Sequence, residues 1–173
     1  MQTIKLNYLK YFVLFFCLFF IEAKSETKIS NNSKQLNFYA GVFDFSDDKQ
    51  KAGLFGIQHQ NENLQRDTFL GNVSPITGGF ITENSAIYIY SGVEWNFDLG
   101  GINLTPSFAP GLYEQGDGKD LGHTLEFKTE VQLSYDISNN TSLGMSYNHI
   151  SNASLGDKNP GANSYEINFI KNF

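Results

Sequence analysis

Between His123 and Tyr135 the chain alternates with a period of two. His123, Leu125, Phe127, Thr129, Val131, Leu133 and Tyr135 fall on one face, and Thr124, Glu126, Lys128, Glu130, Gln132 and Ser134 on the other. This period belongs to an extended strand with two unlike faces. Three charges in succession along one face do not fit the dry core of a soluble sandwich, where an unpaired charge is very costly. A strand of a transmembrane barrel accommodates them: its apolar face meets lipid, and its polar face meets a lumen in which charges pair.

The same pattern recurs along the chain. Ile87, Ile89, Val93, Trp95 and Phe97 alternate with Tyr88, Tyr90, Glu94 and Asn96, and Tyr165, Ile167, Phe169 and Phe173 with Ser164, Glu166, Asn168 and Asn172. Strands are expected at 35–45, 51–60, 67–79, 85–98, 101–113, 121–136, 140–151 and 162–173, divided by connectors rich in Gly, Asn, Asp and Ser. An even number of strands suits closure, so the expected fold is all-β, an eight-stranded antiparallel transmembrane β-barrel over residues 35–173. Trp95, Phe97 and Tyr135 near strand ends read as an aromatic girdle or as ordinary strand aromatics. With both termini on the periplasmic side, the longer polar loops 114–120 and 152–161 face outward. Phe173, closing an alternating strand, resembles the terminal signal read by the barrel assembly machinery.

The N-terminal segment differs. Lys5 and Lys10 precede an apolar run from Tyr11 to Ile21, followed by Glu22, Ala23, Lys24 and Ser25. The run is shorter than the roughly 20 residues that span a bilayer as a helix. Residues 1–23 are therefore expected to be a signal peptide cleaved near Ala23 to Ser25, rather than an anchor, with 24–34 a flexible leader. The single cysteine, Cys17, lies in this segment, which leaves the mature chain without a disulfide or a cysteine-ligated metal. Lys5, Lys10 and Glu22 give residues 1–23 a net +1, so the formal −6 of the whole becomes about −7 after cleavage, and no basic patch points to nucleic acid.

The chemically pointed feature is His149-Ile150-Ser151-Asn152 at the end of the seventh strand. His149 and Ser151 share the face of Leu143, Met145 and Tyr147, the lipid side. Alternate residues lie about 6.6 Å apart at Cα, near enough for an imidazole to reach a serine hydroxyl. Serine becomes a nucleophile when a base takes its proton, and that base needs a third group to fix its tautomer. As a bare pattern the pair arises often by chance.

Its surroundings sharpen it. Segment 149–161, HISNASLGDKNPG, followed by a final alternating strand, and segment 111–127, GLYEQGDGKDLGHTLEF, resemble the lipid A 3-O-deacylase family, also called acyloxyacyl hydrolases. The resemblance implies an eight-stranded barrel of the bacterial outer membrane that hydrolyses an ester-linked 3-hydroxyacyl chain of lipid A, with lipopolysaccharide and outer-membrane lipid as its partners and no cofactor. Carried over by position, His149 is the general base, Ser151 the nucleophile, and Asn152 and Asn159 lie in the region of oxyanion support. The family's acid, a glutamate fourteen residues after the histidine, corresponds here to Asn163. Glu166 faces the lumen and is not a ready substitute. A loop carboxylate, Asp157, Glu114 or Asp120, is an alternative third member.

Other candidates have blander readings. His123 is expected in the girdle or near the lipid A headgroup, and His59 at the surface without metal partners. Glu126, Lys128 and Glu130 read as a lumen ion network, and Gly116 and Gly118 as a turn. The alternatives to an esterase are a catalytically weakened or inactive barrel with a structural or lipopolysaccharide-binding role, and a pore, although side chains are expected to fill so small a lumen. Whether the barrel forms a homodimer is left open.

Overall fold

The computed structural model describes residues 34–173 except Leu70. The expected signal peptide, and the expected leader apart from Lys34, lie outside the described residues. Eight long strands follow: β1 (Lys34–Phe43), β2 (Ala52–Asn61), β3 (Gly71–Thr82), β4 (Ile87–Trp95), β5 (Asn103–Glu114), β6 (Leu125–Ser138), β7 (Thr141–Ser151) and β8 (Ala162–Asn172). Each pairs antiparallel with the next, and β1 pairs with β8 through partners such as Phe38 and Phe169, closing the barrel. Among the described residues the expected class and strand number hold.

Alternation assigns the two faces. Outward side chains form an exposed apolar belt that includes Ile89, Leu112, Met145, Ile167 and Phe169. Side chains one position along turn inward and are buried: Tyr88, Glu94, Glu126, Lys128, Glu130, Asn148, Glu166 and Asn168. One inward ion pair and the amides around it organise the lumen. Lys128 Nζ lies 3.0 Å from Glu130 Oε2 and over the Tyr90 ring, 4.5 Å from its centroid. Asn148 Nδ2 donates to Glu166 Oε1 at 2.6 Å and to Glu130 Oε2 at 3.5 Å. The expected trio of Glu126, Lys128 and Glu130 is thus modified: the ammonium pairs with Glu130, and Asn148 links that pair to Glu166.

Boundaries moved where local chemistry overrides the pattern. β1 stops at Phe43 because Asp44 takes φ of 50°, which breaks the extended backbone. The third strand starts at Gly71 because Arg66–Thr68 folds back on residues 71–73 as a small hairpin. β6 starts at Leu125, since Leu121 is buried in the top rim instead of in a strand and Gly122 has φ of 92°. Connectors 44–51, 83–86, 115–124 and 152–161 gather at one rim, the rim at which β7 ends.

Candidate active site

The rim end of β7 carries the site. Ile150 and Asn148 are fully buried in the lumen, so His149 and Ser151 between and beyond them face outward, and both are half-buried. In the β7–β8 ladder His149 stands directly opposite Asn163. Asn163 Oδ1 lies 2.8 Å from His149 Nδ1 and also accepts the Tyr147 hydroxyl at 2.8 Å. On the other side, Asn163 Nδ2 donates to Ser46 Oγ at 3.4 Å, and the Asn163 carbonyl accepts Phe45 N–H at 3.0 Å. Connector 44–51 is thereby fastened over β8, with Phe45 packed on Tyr165 at 4.4 Å between ring centroids and edge-on to Tyr147 at 6.4 Å.

The loop after Ser151 is tightly held. Asn152 is fully buried, and its Nδ2 donates to the carbonyls of Leu121 and Lys158 at 2.8 and 2.9 Å. Its backbone N–H donates to Asn159 Oδ1 at 3.1 Å, which turns the amide nitrogen of exposed Asn159 away from that bond. Ala153 and Ser154 both take positive φ, 51° and 63°, and Leu155 N–H closes the turn on the Asn152 carbonyl. Two left-handed non-glycine residues in succession are a strained turn, and such strain persists where the surroundings over-determine it. Lys158 Nζ lies 2.6 Å from Asp120 Oδ2 across the rim. The hydrogen bond from Lys158, and then that from Gly122 N–H, hold the Asp120 carboxyl below the usual carboxylate range. Gly161, with φ of 62°, lies against the imidazole: a Cβ there would come within 2.8 Å of His149 Cε1 and 3.3 Å of Nε2.

A family model for the lipid A 3-O-deacylase (PagL) family matches residues 39–172. The chain belongs to that family. Among solved structures it is similar to the outer membrane enzyme PagL, with 17% identity, a TM-score of 0.60, and coverage of 79% of this chain and 98% of that one. A de novo designed transmembrane β-barrel gives 10% identity and a TM-score of 0.54, covering 85% of this chain and all of the design. The outer membrane protein Ail of Yersinia pestis gives 11% identity and 0.50, covering 83% of this chain and all of that protein. At such identities these likenesses establish the barrel fold. A search of curated proteins finds no match.

In this PagL-family chain the sequence-predicted residues His149, Ser151, Asn163, Asn152 and Asn159 lie at one rim, and Asn163 meets His149 directly. Glu166 points into the lumen, bonded to Ser146 and Asn148, as strand parity requires. Of the loop carboxylates considered as a third member, Asp120 is engaged by Lys158. His123 bonds locally, its Nδ1 accepting Leu125 N–H at 2.9 Å. Gly116 and Gly118 form a turn closed by Gly118 N–H on the Gln115 carbonyl. Among the described residues no cluster of His, Cys, Asp and Glu is placed to hold a metal. Sequence reasoning passed over Tyr147, which shares the outward face of His149 two residues earlier, and Asp44, Ser46 and Gly161. Nothing in the local pattern around residue 46 points across the barrel seam.

Proposed function

We propose that the protein is an esterase of the bacterial outer membrane that removes an ester-linked 3-hydroxyacyl chain from lipid A presented laterally at the outer leaflet. The observation that carries this is the 2.8 Å contact between His149 Nδ1 and Asn163 Oδ1, with Ser151 two residues along on the same outward face. A carbonyl oxygen only accepts hydrogen bonds, so this contact supports a proton on Nδ1, with Nε2 free to act as the base. Nε2 takes the Ser151 proton as Oγ attacks the ester carbonyl. The tetrahedral oxyanion collapses to an acyl-serine, and His149 returns the proton to the departing lipid A hydroxyl. Water, activated by the same nitrogen, then releases the fatty acid.

Asn159 is the better oxyanion donor, because its Oδ1 is occupied by Asn152 N–H, which leaves its amide nitrogen to donate, and the residue is exposed. Both hydrogens of the Asn152 side chain serve Leu121 and Lys158, so Asn152 supports the oxyanion by holding this loop. Donors fixed before reaction stabilise charge that develops only in the transition state. The aromatic ledge of Phe45, Tyr147 and Tyr165 supplies an apolar surface beside Asn163 and His149 on which an acyl chain can lie.

Lipid A from cells expressing the protein, analysed by mass spectrometry, tests the proposal. A species lighter by one 3-hydroxyacyl chain, lost with Ser151→Ala, supports it, and unchanged lipid A with the folded wild-type barrel overturns it. The second reading, a barrel that binds lipopolysaccharide without cleaving it, is favoured by the amide at position 163 where the family has a carboxylate. Against a pore stands the packing of the lumen by Tyr88, Tyr90 and Lys128.

A further inference from the structure

An asparagine beside a histidine has two orientations with opposite chemical meaning. With Oδ1 toward Nδ1 the imidazole carries its proton on Nδ1, and Nε2 is a base. With Nδ2 toward Nδ1 the proton moves to Nε2, and the base is lost, the tautomer fault that costs on the order of 10⁴ in turnover when a protease triad acid becomes asparagine. Tyr147 does not decide between them, because a phenol both donates and accepts. Something else must fix the amide.

We propose that Asp44 and Ser46, in the connector after β1, are positioning residues that lock Asn163 with its oxygen toward His149. Ser46 Oγ lies 3.3 Å from Asp44 Oδ1 and 3.4 Å from Asn163 Nδ2. A serine hydroxyl has one proton, and an ionised carboxylate has none, so that proton belongs to Asp44 and the Ser46 oxygen is left to accept. Only the amide nitrogen of Asn163 satisfies it. Oδ1 is then turned to His149 Nδ1 and the Tyr147 hydroxyl, which fill its two lone pairs. Asp44 is itself fixed: it is fully buried, held at φ of 50°, and its second oxygen binds Lys119 Nζ at 2.6 Å. That ammonium pairs with the carboxylate inside the rim. A carboxylate thus acts on the imidazole at two removes, through a hydroxyl and an amide, from the connector after β1 across the β1–β8 seam. Its catalytic consequence rests on the esterase reading, whereas the lock itself does not.

The test is imidazole ¹⁵N NMR on the full-length barrel in lipid nanodiscs, with the His149 signals assigned by a His149→Gln spectrum. Wild type and Ser46→Thr should show His149 as the Nδ1–H tautomer. Ser46→Ala should add the Nε2–H form, and Asn163→Asp in the Ser46→Ala background should restore Nδ1–H, because a carboxylate accepts from either oxygen. On lipid A, Ser46→Ala should lower kcat about tenfold with KM unchanged, a part of the roughly 10²–10⁴-fold that a positioned base contributes as a whole. In the Asn163→Asp background the same change should cost less than about twofold, since the coupling between neighbours is then gone. A single Nδ1–H tautomer in Ser46→Ala, or an equal loss of kcat in both backgrounds, overturns the lock. Unaltered lipid A alongside the expected tautomer changes defeats the esterase reading and leaves the lock standing.

Discussion

At the residue scale the site depends on what touches the imidazole. Gly161 is required twice over, by its left-handed φ and by the ring that a Cβ would strike. Gly161→Ala should lower kcat by about 10²-fold or more, a loss of the order produced by misplacing a catalytic group, while the barrel still migrates as folded on unheated gels; unchanged kinetics would show that the ring has room to move. Asp120 gives a pH prediction. Its folded pKa is depressed by Lys158, so the rim contact contributes stability above the unfolded pKa and loses it as pH falls through the folded value. NMR titration should place the Asp120 midpoint below the roughly 3.9 of free aspartate, and Lys158→Ala should move it back up. His149 and Ser151 were legible as a pair because strand parity places them on one outward face, whereas their roles and the place of Asn163 came from the resemblance to the lipid A 3-O-deacylase family. Asp44 and Ser46 were not legible: their roles depend on the β1–β8 closure and on a break at residue 44, which tertiary contacts set and no local period signals, while the bond of Tyr147 to Asn163 follows from the β7–β8 pairing.

At the element scale, two-residue alternation alone assigned the strands and their faces, because the lipid and the lumen impose opposite polarities on successive side chains. It failed at ends, where Asp44 and Gly122 leave the extended conformation and Arg66–Thr68 folds back on residues 71–73. Ile167 and Asn168 on β8 test the face assignment, one exposed and the other fully buried. Ile167→Lys should destabilise the refolded barrel by about 2–4 kcal/mol, as expected for a lysine on the lipid face near mid-membrane. Urea unfolding in lipid vesicles measures this; a negligible change would place Ile167 outside the apolar belt.

For the whole molecule, the lumen is a filled, hydrogen-bonded core around Lys128, and the outer face near one rim carries the reactive groups. Lys128→Met would leave Glu130 buried without its ammonium, and should cost about 3–5 kcal/mol in the same unfolding measurement while leaving the distant rim chemistry intact in the folded fraction. On the proposed esterase reading the barrel supplies rigidity from inside and catalysis at its outer surface, an arrangement suited to a substrate that diffuses in the surrounding leaflet. The most direct measurement of that account is mass spectrometry of lipid A incubated with the purified, refolded protein. A product lighter by one 3-hydroxyacyl chain that disappears with both Ser151→Ala and His149→Gln is the predicted result, and intact lipid A with the folded wild-type protein would contradict it.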